Sequence, residues 1–307
     1  MNGILALFQD YTFQTVALGS ALLGLISGVL GSFAVLRKQS LLGDGVSHSA
    51  LPGVVMAFVL SGSKNTETLL LGALVSGLLA TLFIVGIVRN TRVKFDSALA
   101  LVMSVFFGLG LVLLTYVQKI PNSNQAGLKR FIFGQASTLL QRDIILMAVC
   151  GLVLLALVLL FWKEFKLFTF DSDFAQSLGF SPKRLNLLLS FMIVLSIIIG
   201  LQTVGVILMS AMLITPAVSA RQWTNKLWVM VSLSAVFGAV SGVAGTAASS
   251  LVSKLPTGPA IVVCVSTIAV VSVLFAPGRG VLHRVYQRRR NRVLYKTEGG
   301  VPDDSAN

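Results

Sequence analysis

The feature that most constrains this chain is the return, nine times, of a largely apolar run about as long as a bilayer is thick. A helix needs roughly 20 such residues to cross the hydrocarbon. Candidate spans fall at 13–36, 41–61, 67–88, 96–118, 143–165, 183–203, 205–221, 226–252 and 258–276. Backbone groups in lipid find no water, so each run is expected to be a helix. The run at 205–221 is short and holds Pro216; it is expected to be broken or fused to a neighbour, so eight to ten spans remain open. Only 11% of the 307 residues are charged, against roughly 25% in a soluble domain. A soluble helical enzyme is excluded on that ground. The expected fold is all-α and polytopic: a transmembrane unit over 1–278 and a basic tail over 279–307.

The net charge of +13 looks at first like a nucleic-acid signal. The cations sit between apolar runs and in the tail HRVYQRRRNRVLYK, the pattern of retained cytoplasmic loops. No nucleic-acid partner is expected; the tail faces solvent or anionic lipid. Arg37 and Lys38, Arg89 with Arg92 and Lys94, Lys163 with Lys166, Lys183 and Arg184, Arg221 with Lys226, and Arg279 follow alternate spans. Together they predict an N-terminus outside and a C-terminus inside. The loop at 119–142 dissents with Lys119, Lys129, Arg130 and Arg142, and its FIFGQASTLLQRD stretch reads as a short interfacial helix. The start MNGILALFQDYTF has no basic leader region and reads as uncleaved. Cys150 and Cys264 lie in apolar runs and read as small buried hydrophobes. Gly24 with Gly28, and Gly238 with Gly242, have GxxxG spacing. Such faces serve close internal packing or a homodimer seam.

Of eleven acidic residues, only Asp44 sits inside a span with apolar sequence running on beyond it. In SLLGDGVSHSALPGVVMAF, Asp44, His48 and Pro52 fall four residues apart, on one helix face. An intramembrane charge costs roughly 3 kcal/mol or more and usually faces a cavity. The pair can be a mutual hydrogen bond that staples the helix, a proton relay, or a grip on a divalent ion such as Mn²⁺, Fe²⁺ or Zn²⁺; the metal pathway is the expected reading. Pro52 has no N–H for the carbonyl of residue 48, so a kink is expected there and a second at Pro216. Ser210 and Thr215 offer oxygens to a pathway, while Met209 and Met212 read as core or lipid-facing residues.

No GxxxxGK[ST] loop is present, so this chain cannot cradle ATP phosphates by that route. Nor is there a Ser-His-Asp or HExxH arrangement. The loop FDSDFAQSLGFSPKRLN at 170–186 predicts a small helix over Asp171–Phe180, capped by Asp173 and ending near Gly179. Phe174, Leu178 and Phe180 then offer apolar anchors for a partner's groove; an ordinary amphipathic loop is the alternative.

These stretches resemble the membrane subunit of bacterial ATP-binding-cassette importers for manganese, zinc or iron, the metal-type ABC-3 permeases. LLGDGVSHSALPGV is similar to the family's second-helix signature. DSDFAQSLGFSPKRLN resembles its coupling helix and flank, here about 171–181, and VGVILMSAMLITPAVSARQ a later segment. The resemblance implies a homodimeric, non-enzymatic permease in the bacterial plasma membrane, with ATP bound on two cytoplasmic subunits and an extracellular metal-binding lipoprotein delivering the ion. It implies that Asp44 and His48 line the metal pathway, and that Asp173, Ala175 and Gly179 belong to the coupling loop. Transport by alternating access is the implied mechanism. One carboxylate with one imidazole favours Mn over Zn or Fe, and the chain itself is expected to hold no cofactor. The competing functions are an ABC permease for siderophore or cobalamin and a proton-coupled secondary transporter using Asp44 and His48 as its relay. An intramembrane enzyme has no nucleophile–base pair to support it.

Overall fold

A helix in lipid satisfies its backbone N–H and C=O groups within itself, and the described residues are helical with no strand. The computed structural model describes residues 10–62, 65–119, 140–252, 255–277, 279–284 and 287. The first part of the fold is α1 (Tyr11–Leu36), α2 (Leu42–Ser49), α3 (Leu51–Ser61), α4 (Thr66–Asn90), α5 (Phe95–Gln118) and α6 (Gln141–Leu160). The second is α7 (Trp162–Phe170), α8 (Ser172–Ser177), α9 (Pro182–Val204), α10 (Val206–Trp223), α11 (Leu227–Leu251) and α12 (Thr257–Phe275). Residues 131–139 of the expected interfacial helix lie outside the described residues, as do Lys64, Lys129, Arg130, Lys254 and most of the arginine tail.

Eight segments among the described residues are long and apolar enough to cross a membrane, with α2 and α3 together making one of them. The protein is therefore an all-α, multi-pass membrane protein. The candidate run at 205–221 becomes a helix of its own. Gly205, at φ 82°, separates α9 from α10. α10 is not one of those eight segments and is interior: Met209, Met212, Leu213, Ala217 and Ala220 are fully buried. A helix enclosed by other helices needs less apolar sequence than one facing lipid, and that is why it reads weakly.

Packing in lipid has no hydrophobic drive between helices, so close fit must supply the attraction. α1 and α11 run antiparallel and meet along small residues. A Cβ at Gly24 would strike the Gly238 carbonyl, and one at Gly28 the Ser234 carbonyl. The Ser234 hydroxyl donates to the Gly28 carbonyl at 2.7 Å, fixing the register. Of the two readings of this glycine face, internal packing is the one the structure shows. The periphery is the reverse. Leu71, Val75, Leu79 and Leu82 on α4 are exposed, as are Leu101, Val105, Leu109 and Val112 on α5. Their i,i+3/i+4 spacing makes each a stripe suited to lipid.

Contacts at the helix ends sort the loops onto two faces. Arg37 bonds to Phe168 and Asn186, and Arg279 to Arg221 and Asn225. With α11 antiparallel to α1, these ends share one face, which gathers Lys163, Lys166, Lys183, Arg184 and Lys226 as well. On the other face Tyr11 bonds to Gln141, Glu67 pairs with Arg142, and Ser249 donates to the Leu255 carbonyl.

Replacing Gly28 with Val should lower the thermal stability of the purified protein by about 1–3 kcal/mol, since the seam cannot absorb the extra volume. Gly108→Val, where a Cβ meets nothing within 4 Å, should leave it nearly unchanged. Thermal unfolding in detergent reads both.

Candidate functional site

The short helix α2 carries the charged pair in the order its own dipole favours. Asp44 is in the first turn and His48 in the last, so the carboxylate lies toward the positive end and the imidazole toward the negative end. His48 Nε2 stands 3.5 Å from Asp44 Oδ1. That is longer than the 2.7–3.2 Å of an ordinary hydrogen bond, so the two groups sit side by side without being locked together. The Ser210 hydroxyl approaches the same oxygen at 3.4 Å from α10. Among the described residues nothing donates to Oδ2. The Asp44 side chain is 43% exposed and that of His48 26%, so the pair opens on one side while α2 is otherwise packed.

Neighbours from other helices close round the pair. Phe107 of α5 meets the His48 ring edge to face, with centroids 4.9 Å apart, which limits how the imidazole turns. Gly45 lies under Leu99, and Gly43 against Leu213 and the Ser210 backbone. Among the described residues no group of three or more His, Cys, Asp or Glu side chains gathers here or elsewhere. The arrangement offers a hard oxygen and one imidazole nitrogen, leaving the rest of an ion's coordination to water or other groups.

The helix divides at Ala50, between α2 and α3 and two residues before Pro52. The sequence reading places the freed carbonyl at His48. In the structure the carbonyl with an outside partner is that of Ser49, which accepts the Ser76 hydroxyl of α4 at 2.6 Å. Pro216 is buried inside α10, which continues through it to Trp223. Thr215 does not join Ser210 at Asp44: five residues separate them, about 140° around a helix. Its carbonyl accepts Ser219 at 2.7 Å.

On the basic face, α8 is capped by Asp171, whose carboxylate accepts the Phe174 N–H at 2.9 Å. This corrects the expectation of Asp173: the helix starts two residues earlier, and Asp173 stands in its first turn. Ala175 is fully buried, anchoring α8 to the body. Gly179, at φ 89°, takes a left-handed conformation that a side chain would strain. Phe174, Leu178 and Phe180 are exposed.

Sequence reading missed Ser76, Phe107 and Arg37. The first two act across helices, with no local signal. Arg37 was counted as a loop charge, yet its guanidinium lies 3.7 Å over the Phe168 ring. Burial pulls its pKa down to about 10, so it stays protonated at neutral pH.

Residues 9–276 match the ABC 3 transport family. The chain is 53% identical over 294 residues to the zinc transport system membrane protein TroC of Treponema pallidum, covering 96% of this chain and 99% of that one. It is 50% identical over 284 residues to the manganese transport system membrane protein MntC of Bacillus subtilis, covering 92% of this chain and 65% of that one. Its fold matches PsaBC from Streptococcus pneumoniae, solved in complex with Fab, with a TM-score of 0.80 and 30% identity over 94% of this chain and 99% of that one. PsaBC is a complex of two different subunits. The expected homodimer is corrected on that finding.

Ser76→Ala should strand the Ser49 carbonyl and cost about 1–3 kcal/mol, while Ser76→Thr keeps the donor and most of the stability. Thermal unfolding of the two variants checks the difference.

Proposed function

This chain belongs to the ABC 3 transport family, and from that premise we propose that it moves divalent transition-metal ions inward as the permease of an ATP-driven importer, with Mn²⁺ preferred. The observation that carries the reading is the Asp44–His48 pair, open on one side and 3.5 Å apart. A transport site must bind well enough to admit an ion and weakly enough to release it. Two protein ligands that leave coordination positions to water meet both demands. The carboxylate favours harder ions, and the imidazole keeps Mn, Fe and Zn within range. Zinc and manganese both occur in the names of similar proteins, so the preference for Mn²⁺ rests on the ligand set. Ser210, and Thr215 further along α10, would extend the pathway, with the division near Pro52 and the buried Pro216 as the points where the helices bend.

The chain has no phosphate-binding loop, and ATP is bound by a separate subunit. That subunit would dock on α8, where Phe174 and Leu178 are more than half exposed at 52% and 56%; Asp173, Ala175 and Gly179 shape the same loop. Retained cations support a cytoplasmic basic face, which would put the N-terminus outside, the C-terminus inside and the basic tail at 279–307 beyond the permease unit. Closure of the ATP-binding subunits would then alternate access to the pair.

Asp44→Asn and His48→Ala should each reduce Mn²⁺ uptake by no less than the roughly 10- to 100-fold cost of losing an outer-shell partner. Both variants should remain assembled, because the groups are partly exposed. Uptake into liposomes holding the complete complex tests this, and normal uptake by both variants overturns it. Competition by Zn²⁺ and Fe²⁺ in the same assay tests the preference.

Phe174→Ser combined with Leu178→Ser should release the ATP-binding subunit without lowering the chain's own melting temperature. Co-purification and thermal unfolding measure the two effects separately.

A further inference from the structure

Arg37 is a half-buried guanidinium at the end of an apolar helix, and its contacts run in two directions. Arg37 closes α1. Its Nη1 donates to the Phe168 carbonyl at 3.3 Å and its Nη2 to Asn186 Oδ1 at 3.2 Å. Its carbon centre lies 3.7 Å over the Phe168 ring. Phe168 is in α7, three residues before the Asp171 cap of α8, and Asn186 is in the first turns of α9. One side chain therefore grips both flanks of the exposed α8 segment. Around it, Phe33 of α1 packs against Trp162 and Phe165 of α7, at 6.0 and 5.8 Å between centroids.

In the other direction, Arg37 begins the connection to Asp44, and that connection is bonded at successive steps. The Lys38 N–H donates to the Val35 carbonyl at 3.1 Å and the Gln39 N–H to the Ala34 carbonyl at 2.9 Å. The Leu42 N–H donates to the Gln39 carbonyl, and the Gly45 N–H to the Leu41 carbonyl, both at 3.1 Å. Lys38 has φ 57°, a left-handed conformation costly for a residue with a side chain, so the turn is held against local preference. Such a turn has little slack to absorb a displacement before it reaches α2.

We propose that Arg37 is a positioning residue that transmits displacement of the α8 segment to the Asp44–His48 pair. This deepens the function proposed above and rests on it. Arg37 is 3.7 Å from an aromatic ring and within reach of two acceptors, a combination that a planar guanidinium satisfies and a lysine ammonium cannot. It does not touch the ion. Its loss should therefore break the link between ATP hydrolysis and transport while sparing the binding of either ligand.

The test uses the complete complex with its ATP-binding subunit in liposomes, with Mn²⁺ as the transported ion, and compares Arg37→Met, Arg37→Lys and Asn186→Leu. Ions moved per ATP hydrolysed should fall about tenfold in Arg37→Met, within the usual range of coupling between sites. ATP hydrolysis and the KM for Mn²⁺ should change little. Arg37→Lys should recover only part of the ratio, and Asn186→Leu should lower it in the same direction. Adding Asn186→Leu to Arg37→Met should produce less than the sum, as expected of groups in one contact. The proposal is overturned if uptake and hydrolysis fall together in proportion to the amount of assembled complex, or if the ratio is unchanged. Failure of the underlying reading looks different: the ATP-binding subunit then stays attached to the Phe174→Ser, Leu178→Ser variant.

Discussion

Lipid offers no hydrogen-bond partner, and that single deprivation organises the molecule. Each backbone polar group must be satisfied within the chain, and a side-chain polar atom gains by finding a partner or a route that water can enter. Hydroxyl groups show the first solution. Ser32 donates to the Gly28 carbonyl, Ser47 to Gly43, Thr81 to Gly77 and Thr246 to Gly242, each one turn back on its own helix. Ser234 and Ser76 reach across to a neighbouring helix instead. The second solution is Asp44 with His48, which keep part of their surface open. Being unfinished as a hydrogen-bonded pair is what would leave them available to an ion under the proposed function.

The same solvent also removes the usual reason for helices to associate. Contact must come from fit, and fit here comes from residues with almost no side chain. Gly24 and Gly28 let α1 approach α11 until backbone meets backbone. Gly53 and Gly72 do the same between α3 and α4. The first of these seams holds α1 against α11, and α1 is capped at its end by Arg37. The position of α2, and so of the charged pair, follows from how firmly that end is held.

That the chain crosses a bilayer many times was readable from the sequence because bilayer thickness imposes a length that few soluble helices need; of nine expected runs, eight segments among the described residues are long and apolar enough. Asp44 and His48 were readable because a carboxylate and an imidazole are rare in such runs. The rest depended on distance in space. Glycine spacing announced close faces on both α1 and α11 and left internal packing and a homodimer seam open; only the fold pairs the two faces with each other. Ser76 and Phe107 look like any serine and phenylalanine in a span; only the fold brings them to Ser49 and His48. Arg37 looked like a loop charge because charge patterning records which face a residue is near, not whether it is buried there. The misplaced cap on α8 is a smaller fault: Asp171 and Asp173 are equally good caps by type, and only the backbone selects between them.

The division at Ala50 bears on how the pair could work. An unbroken helix from Leu42 to Ser61 would move as one rod, and Asp44 could shift only with α3 and the α4 seam behind it. At Ala50 the dihedrals stay helical, but with the Ser49 carbonyl held from the side by Ser76, α2 is an eight-residue segment with a different neighbour at each end. One end is tied through Arg37 to α7 and α9, the other through Ser76 to α4. A relative shift of those neighbours would tilt α2 about its ends. Because Ser210 approaches Asp44 from α10, such a tilt would change its distance to the carboxylate, so motion of a few tenths of an ångström would alter the oxygen presented to an ion without unfolding a turn.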